Sequence, residues 1–277
     1  MLRNLGGKEH TVKLLATFHH GQTYSLLFPW AECDLLAYWE RGHSRGMSRK
    51  LAFWIATQCC GLISALSWMH NPQVLDPDKE KLYARHGDIK PENILWYKGN
   101  SDDPLNLAAG RLVFSDFGLS SLNHKDTRSN IMNGNILNTT TYAPPESILP
   151  DHKISRSIDI WALGCVYLEF VTWIVGGLDF SFVLKFERER LAPFLGSQIS
   201  NYVFWEVQES DSAQAARRSP EHVTVVKPQV TKVCAPQAHN TNHPILNPCS
   251  GSSTCARGHK RPSSSRTCLV LSKTTCW

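Results

Sequence analysis

A chain of 277 residues with 42% apolar and 10% aromatic side chains can bury one large core or two small ones. Its net charge of +5 is unevenly spread: residues 211–277 hold nine basic and two acidic side chains, leaving residues 1–210 at 20 basic against 22 acidic. The front of the chain is therefore slightly acidic, which argues against a nucleic-acid partner. Nine cysteines, an odd number without paired spacing, point to reduced thiols and an intracellular (cytoplasmic or nuclear) location. Met1 opens on "MLRNLGGKEH", which has no apolar leader region.

In chain order, "KLLATFHH" (13–20) and "TYSLLFPW" (23–30) predict two short strands joined by a tight turn at His20-Gly21-Gln22. Residues 48–70 predict a long helix with Ser48 as N-cap. Leu51, Trp54, Ile55, Cys59, Leu62, Ile63, Leu66 and Met69 step by threes and fours along it, forming one core-facing stripe. The polar run 71–83 reads as an exposed loop. "NILWYKG" and "RLVFSDFG" read as a second hairpin with a long connection. Residues 120–141 are polar and without periodicity, as in a mobile surface segment.

The segment 160–178, "IWALGCVYLEFVTWIVGGL", is nearly long enough to span a membrane. Glu169 sits inside it, and Asp159 and Asp179 bound it closely, so a helix buried at the centre of a globular lobe is expected, with no membrane partner. One more helix is expected within 180–195. Beyond residue 206 the composition turns to Ser, Pro, Thr and Arg, which cannot offset the entropy of ordering, so a disordered basic tail over 206–277 is expected. His239 and His243 come closest to zinc-ligand spacing there but lack a second pair.

Four short blocks carry chemistry: "HGDIKPENIL" (86–95), "DFG" (116–118), "TTTYAPPE" (139–146) and "DIWALGC" (159–165). In this order, with Asp88 and Asn93 at the D-x-x-x-x-N interval, they resemble the large lobe of a eukaryotic protein kinase. Lys90-Pro91-Glu92-Asn93 resembles the serine/threonine branch. The resemblance runs from residue 1 to about 178. It implies an α+β, protein-kinase-like fold, with residues 1–30 a remnant of the small lobe's sheet and 31–205 a mainly helical large lobe.

The resemblance also implies roles. Asp88 faces the substrate hydroxyl and accepts its proton, while Lys90 places positive charge near the transferring phosphate. Asn93 and Asp116 hold magnesium, a hard cation suited to oxygen ligands. Gly118 permits a sharp turn after Asp116. Thr139 bonds Asp88 and Lys90 and forms part of the seat for a substrate Ser or Thr. Asp159 braces the catalytic loop from below. Phe28, Trp30, Ala31 and Leu95 contact the adenine of ATP. Taken without the downstream motifs, Phe28 and Trp30 read simply as core.

Two departures are visible. Position 87 is Gly where the family commonly has Arg, so a phosphate on residues 120–141 has no evident receptor there, although Arg128 lies close in sequence; alanine at those hydroxyls, Thr139 excepted, is expected to leave activity unchanged. The chain also starts where the family's third helix ends, without a Gly-rich loop, a V-A-x-K strand or the helix glutamate that pairs with that lysine. The upper hairpin is accordingly expected to expose a long strand edge. Glu146 is expected to lack its usual arginine partner. An incomplete serine/threonine kinase chain acting on proteins is thus weighed against a catalytically silent kinase-like scaffold.

Overall fold

The computed structural model describes residues 8–42, 46–71, 82–99, 110–117, 121–124, 141–147, 155–193, 200–209, 222–234 and 269–274. The first hairpin forms as the sequence predicts. Strands β1 (Ala16–His20) and β2 (Thr23–Phe28) pair antiparallel from Ala16↔Leu27 to His20↔Thr23. Gly21, in the two-residue turn, has φ +59°, a value glycine adopts without strain.

Strand β3 (Cys33–Asp34) leads directly into helix α1 (Leu35–Glu40), where the Asp34 carboxylate accepts the Ala37 amide at 2.8 Å as an N-cap. Helix α2 (Arg49–His70) starts as predicted, with the Ser48 hydroxyl accepting the Leu51 amide at 3.1 Å. The stripe needs one correction. Ile63 is half exposed, and Gln58 takes a fully buried place instead, where its Oε1 accepts the Leu112 amide at 2.9 Å. Trp54, Ile55, Leu62, Ala65, Leu66 and Met69 bury as a continuous face. Replacing the fully buried Leu62 with Ala is expected to cost about 2–5 kcal/mol, read by urea unfolding.

The second hairpin also forms. Strand β4 (Leu82–Arg85) precedes it, and strands β5 (Ile94–Tyr97) and β6 (Arg111–Phe114) pair antiparallel, with Ile94 opposite Phe114; β3 adds to β5 on the other side. Gly110 enters β6 at φ +89°, and a β-carbon there would stand 2.3 Å from the Tyr97 carbonyl oxygen. Gly110→Ala is expected to destabilise the chain by about 2–4 kcal/mol through backbone strain and overpacking, measured by thermal unfolding. Residues 10–12 are stitched to the same sheet, since the Val12 amide donates to Phe114 O and the Phe114 amide to His10 O, both at 2.9 Å.

Within 120–141, residues 121–124 form strand β7 (Ser121–His124), paired antiparallel with β4. Those four residues thus depart from the expected irregular segment; most of the remainder lies outside the described residues, as does most of the 71–83 loop. Helix α3 (Ser157–Val175) follows, then α4 (Phe180–Glu189), capped by the Asp179 carboxylate on the Ser181 amide.

Helix α3 is not buried on all sides. Ala162, Leu163, Val166, Phe170 and Trp173 pack into the core with α2, whereas Ile160, Val171 and Val175 are exposed. By length and composition α2 and α3 could each cross a membrane. Here Trp54, Leu62 and Leu66 of one meet Val166, Phe170 and Trp173 of the other in a single apolar cluster.

The expectation of disorder beyond residue 206 is corrected for three described stretches. Ahead of the tail, strands β8 (Ala192–Pro193) and β9 (Ser200–Asn201) make a short pair; β10 (Trp205–Glu209), which crosses into it, forms a hairpin with β11 (His222–Val226). Helix α5 (Pro228–Cys234) then packs Val230 against Phe204, Phe186 and Cys165. Compositional bias is an average, and Val230 and Val233 still supply local apolar surface to the cluster around Phe204. The expected open edge of β2 is also corrected: strand β12 (Leu269–Thr274) pairs antiparallel along it, from Leu269↔Phe28 to Thr274↔Thr23. Unpaired backbone donors and acceptors on a sheet edge are a template for such an addition.

Candidate active site

The site is assembled on the loop between β4 and β5, and Asp159 holds that loop from beneath. This carboxylate lies in the first turn of α3 with 1% of its surface exposed. Its Oδ1 accepts the Gly87 amide at 2.8 Å, and its Oδ2 accepts the His86 amide at 2.8 Å and meets His70 Nε2 at 2.9 Å. Gly87 has φ +83°, a backbone state that suits glycine and strains any larger residue. Burial alone raises the Asp159 pKa, but the His70 bond, the nearby His86 and the two amides outweigh it and hold the group below the ordinary 3.8.

The sign of that shift sets a pH dependence. A depressed folded pKa means that the carboxylate contributes its stability in full above the unfolded value and loses it as pH falls through the folded value. Unfolding free energy is therefore expected to drop below about pH 4 partly through Asp159. A urea series against pH should show a shallower acid limb in Asp159→Asn.

His86 links the two halves of the site. Its ring is fully buried against Phe114 and Phe117, with centroids 5.6 and 5.0 Å away. The Asp88 amide donates to Nδ1 at 3.3 Å, so Nε2 carries the proton and donates to Ser115 O at 2.9 Å. Burial lowers the His86 pKa, while Asp159, Asp88 and Asp116 among others raise it. Both Asp88 and Asp116 are thus within electrostatic reach of one ring. Ser115 completes the junction: its amide and its hydroxyl both donate to Asn93 O, at 2.9 and 3.0 Å.

Asp88, Lys90 and Asn93 meet directly. Lys90 Nζ is 3.0 Å from Asp88 Oδ2, and Asn93 Nδ2 donates to Asp88 O and Asp88 Oδ2, each at 2.8 Å. Since both hydrogens of that amide point to Asp88, Asn93 Oδ1 faces the other way as an acceptor. Asp116 is the second residue past Phe114, which pairs with Ile94 beside Asn93. Asp116 has φ +50° and is exposed, while Phe117 packs on the core and on His86. Among the described residues no cluster of three His, Cys, Asp or Glu side chains could hold a metal. A cation held by Asn93 and Asp116 would take its remaining ligands from phosphate and water, the mode that suits magnesium.

The predicted adenine contacts divide. Phe28 is 7% exposed and packs with Val12 and Val113. Leu95 and Ala31 are half-buried, with Leu95 opposite Val113 in the β5–β6 pair. Trp30 is 54% exposed and stays outside that cluster. The linker is fastened to β5 by Tyr97 OH on Pro29 O at 3.2 Å and by the Glu32 amide on Trp96 O at 3.0 Å. Thr139 and Gly118 lie outside the described residues.

Sequence reasoning did not single out the anchorage of segment 141–146. Tyr142 OH donates to Glu169 Oε2 at 2.9 Å, and Trp205 Nε1 donates to Ala143 O at 3.0 Å. Arg190, fully buried between the Phe186 and Phe204 rings at 4.2 and 3.9 Å, donates to Glu169 Oε1 at 3.0 Å. Burial pushes Glu169 up to about 7, with Arg190 and Tyr142 opposing. Glu146 accepts the Ser157 hydroxyl at 3.0 Å. Glu169 was visible in the sequence as a lone carboxylate in an apolar helix, a pattern that calls for a buried cation; its partner 21 residues on was not.

Residues 1–175 match the protein kinase domain family, and the chain belongs to it. It is 26% identical over 192 residues to the serine/threonine-protein kinase srb10 of Schizosaccharomyces pombe, covering 69% of this chain and 46% of that protein. It is 27% identical over 200 residues to cyclin-dependent kinase 14 of Xenopus laevis, covering 70% of this chain and 39% of that one, and 28% identical over 169 residues to the Xenopus tropicalis protein, covering 60% and 34%. The chain therefore spans less than half the length of these relatives.

Proposed function

We propose that the chain carries the phosphoryl-transfer site of a serine/threonine protein kinase, which moves the γ-phosphate of ATP to Ser or Thr hydroxyls of a protein substrate. The observation that carries this reading is the joining of Asp88, Lys90 and Asn93 within 3.0 Å on a loop that His86 and Ser115 tie to Asp116. Bound Mg-ATP would supply the transferable phosphoryl group and the cation that neutralises its charge.

Each residue then has one task. Asp88 orients the acceptor hydroxyl and takes its proton through the carboxylate. Lys90, ion-paired with Asp88, holds positive charge beside the reacting oxygens. Asn93, through Oδ1, and Asp116 would hold magnesium. Phe28, Ala31 and Leu95 form the apolar seat for adenine, with Trp30 at its exposed rim. Thr139, from its place in the T-x-x-Y block, belongs to the substrate seat. The tethers from Glu169 and Trp205 to Tyr142 and Ala143 keep the adjacent segment in place. The basic excess lies outside residues 1–210, which supports a protein acceptor rather than a nucleic acid.

The reading is tested by incubating the chain with γ-labelled ATP, magnesium and a basic Ser/Thr-rich acceptor protein. Phosphoserine or phosphothreonine in the acceptor supports it; label on neither protein contradicts it. A second reading is a catalytically silent scaffold that engages partners through the large lobe. The retention of Asp88, Lys90, Asn93 and Asp116 together weighs against it, because a scaffold has no physical need of both metal-binding side chains.

A further inference from the structure

Strand β12 is tied to the fold along a single line. It lies at the end of its sheet, in the order β1-β2-β12, and pairs with β2 alone among the described residues. On that side the ladder is continuous, with six pairs running from Leu269↔Phe28 to Thr274↔Thr23. Strand β1 pairs with five residues of β2 and stops at Leu27. Leu269 is therefore the only ladder partner of Phe28 among the described residues. Two strands alone are marginal in water, and β1 is exposed along its whole length, so the hairpin draws little support from that side. The added strand reads "LVLSKT" and contains no Gly, Pro, Asn or Asp, the residues that most weaken extended backbone.

A strand held by one ladder, and separated from helix α5 by residues 235–268, can leave without unfolding the lobe, because local openings cost least where few elements pack together. We propose that the edge of β2 is a strand-docking site, that residues 269–274 of this chain are its detachable occupant, and that docking holds Phe28 in the adenine seat. The row of backbone donors and acceptors on β2 supplies the affinity of such a site, as in other cases where an extended segment adds to a sheet edge. The occupant is the chain's own segment because it lies on that edge in unbroken antiparallel register over every residue of β2. Phe28 carries the effect inward: it packs with Val12 and Val113, and the Val12 amide donates to Phe114 O, two residues before Asp116. Docking at one edge is thus connected to the segment that carries the metal-binding carboxylate. The docking claim stands on backbone pairing alone; its effect on nucleotide rests on the function proposed above.

The test is amide hydrogen exchange on the full chain, read by NMR at each residue of Thr23–Phe28. Successive amides of a strand point to opposite sides, so one alternate set faces β1 and the other faces β12. Both sets should be protected in the parent, at every chain concentration. The variant Val270→Pro/Leu271→Pro removes a ladder donor whichever of the two residues points at β2, and the β12-facing set should lose about tenfold more protection than the other. A free peptide with the sequence of residues 269–274 should restore it. Protection of one set only in the parent would overturn the proposal without reference to any variant, and so would full protection of both sets in the double-proline chain. Protection that rises with chain concentration would give the edge to a strand from a second copy and overturn the assignment to the chain's own segment. Mg-ATP should bind the double-proline chain about tenfold more weakly than the parent, with the peptide restoring affinity. Equal affinity with the strand undocked would overturn the role given to Phe28. A parent that binds no Mg-ATP would contradict the function proposed above, and the exchange pattern would still decide the docking site.

Discussion

Asp159→Ala is expected to lower the unfolding free energy by about 3–5 kcal/mol, the size of effect seen when one member of a buried, hydrogen-bonded polar cluster is removed. Four groups depend on that carboxylate. It satisfies the amides of His86 and Gly87 and the ring of His70, and it is the carboxylate that acts on the buried Arg85. Alanine leaves the two amides and the His70 ring without that acceptor, each costing about 1–3 kcal/mol unless the loop moves, and removes the charge that acts on Arg85. If the loop does move, Asp88 moves with it, so the variant should lose nucleotide-dependent properties along with stability. The exposed neighbour Ile160 is the control: Ile160→Ala removes a larger side chain from the next position, yet should change stability by only about 0.5 kcal/mol. Urea unfolding of the two variants checks the contrast, and equal small losses would mean that Asp159 does not brace the loop.

Asp88→Asn has the second large effect, and it falls on rate rather than stability. The amide keeps an oxygen for Asn93 Nδ2 but cannot accept a proton, and it gives up the charge that pairs with Lys90. In a preparation that transfers phosphate, the single-turnover rate is expected to fall about 10²–10⁴-fold, the usual contribution of a positioned general base. Stability should change by about 1 kcal/mol, that of a partly exposed ion pair. A rate within threefold of the parent would remove Asp88 from the proton-accepting role.

The legible parts of this fold are those written locally. Ser48 announced its helix because an N-cap hydroxyl and a three-four apolar step lie within one segment. Both hairpins could be placed for the same reason. Ile63 fits the apolar step but falls on the outer side of α2, and the polar Gln58 faces in because the Leu112 amide needs an acceptor. That acceptor lies 54 residues from its donor, a relation periodicity cannot carry. The same holds for β12 against β2, and for Arg190 seated between two phenylalanine rings to reach Glu169.

In the site, the motifs marked Asp88, Lys90, Asn93 and Asp116 and the bracing Asp159. The joints between them, His86 to Ser115 and Ser115 to Asn93, run through main-chain atoms and leave little trace in residue type. Trp30 was grouped with the adenine contacts by its place after Phe28, yet its ring is turned largely to solvent. The tail beyond residue 206 misled because Ser, Pro and Arg dominate the average while a valine-rich stretch within it still finds a surface at Phe204.

The most direct test is a thermal melt of the chain with and without Mg-ATP, run beside Asp116→Asn. With the nucleotide at a hundred times its dissociation constant, the parent should gain about 2.7 kcal/mol of stability, and the variant most of that less. No gain in the parent, or an equal gain in both chains, would contradict a nucleotide-bound metal held by Asn93 and Asp116 beside Asp88.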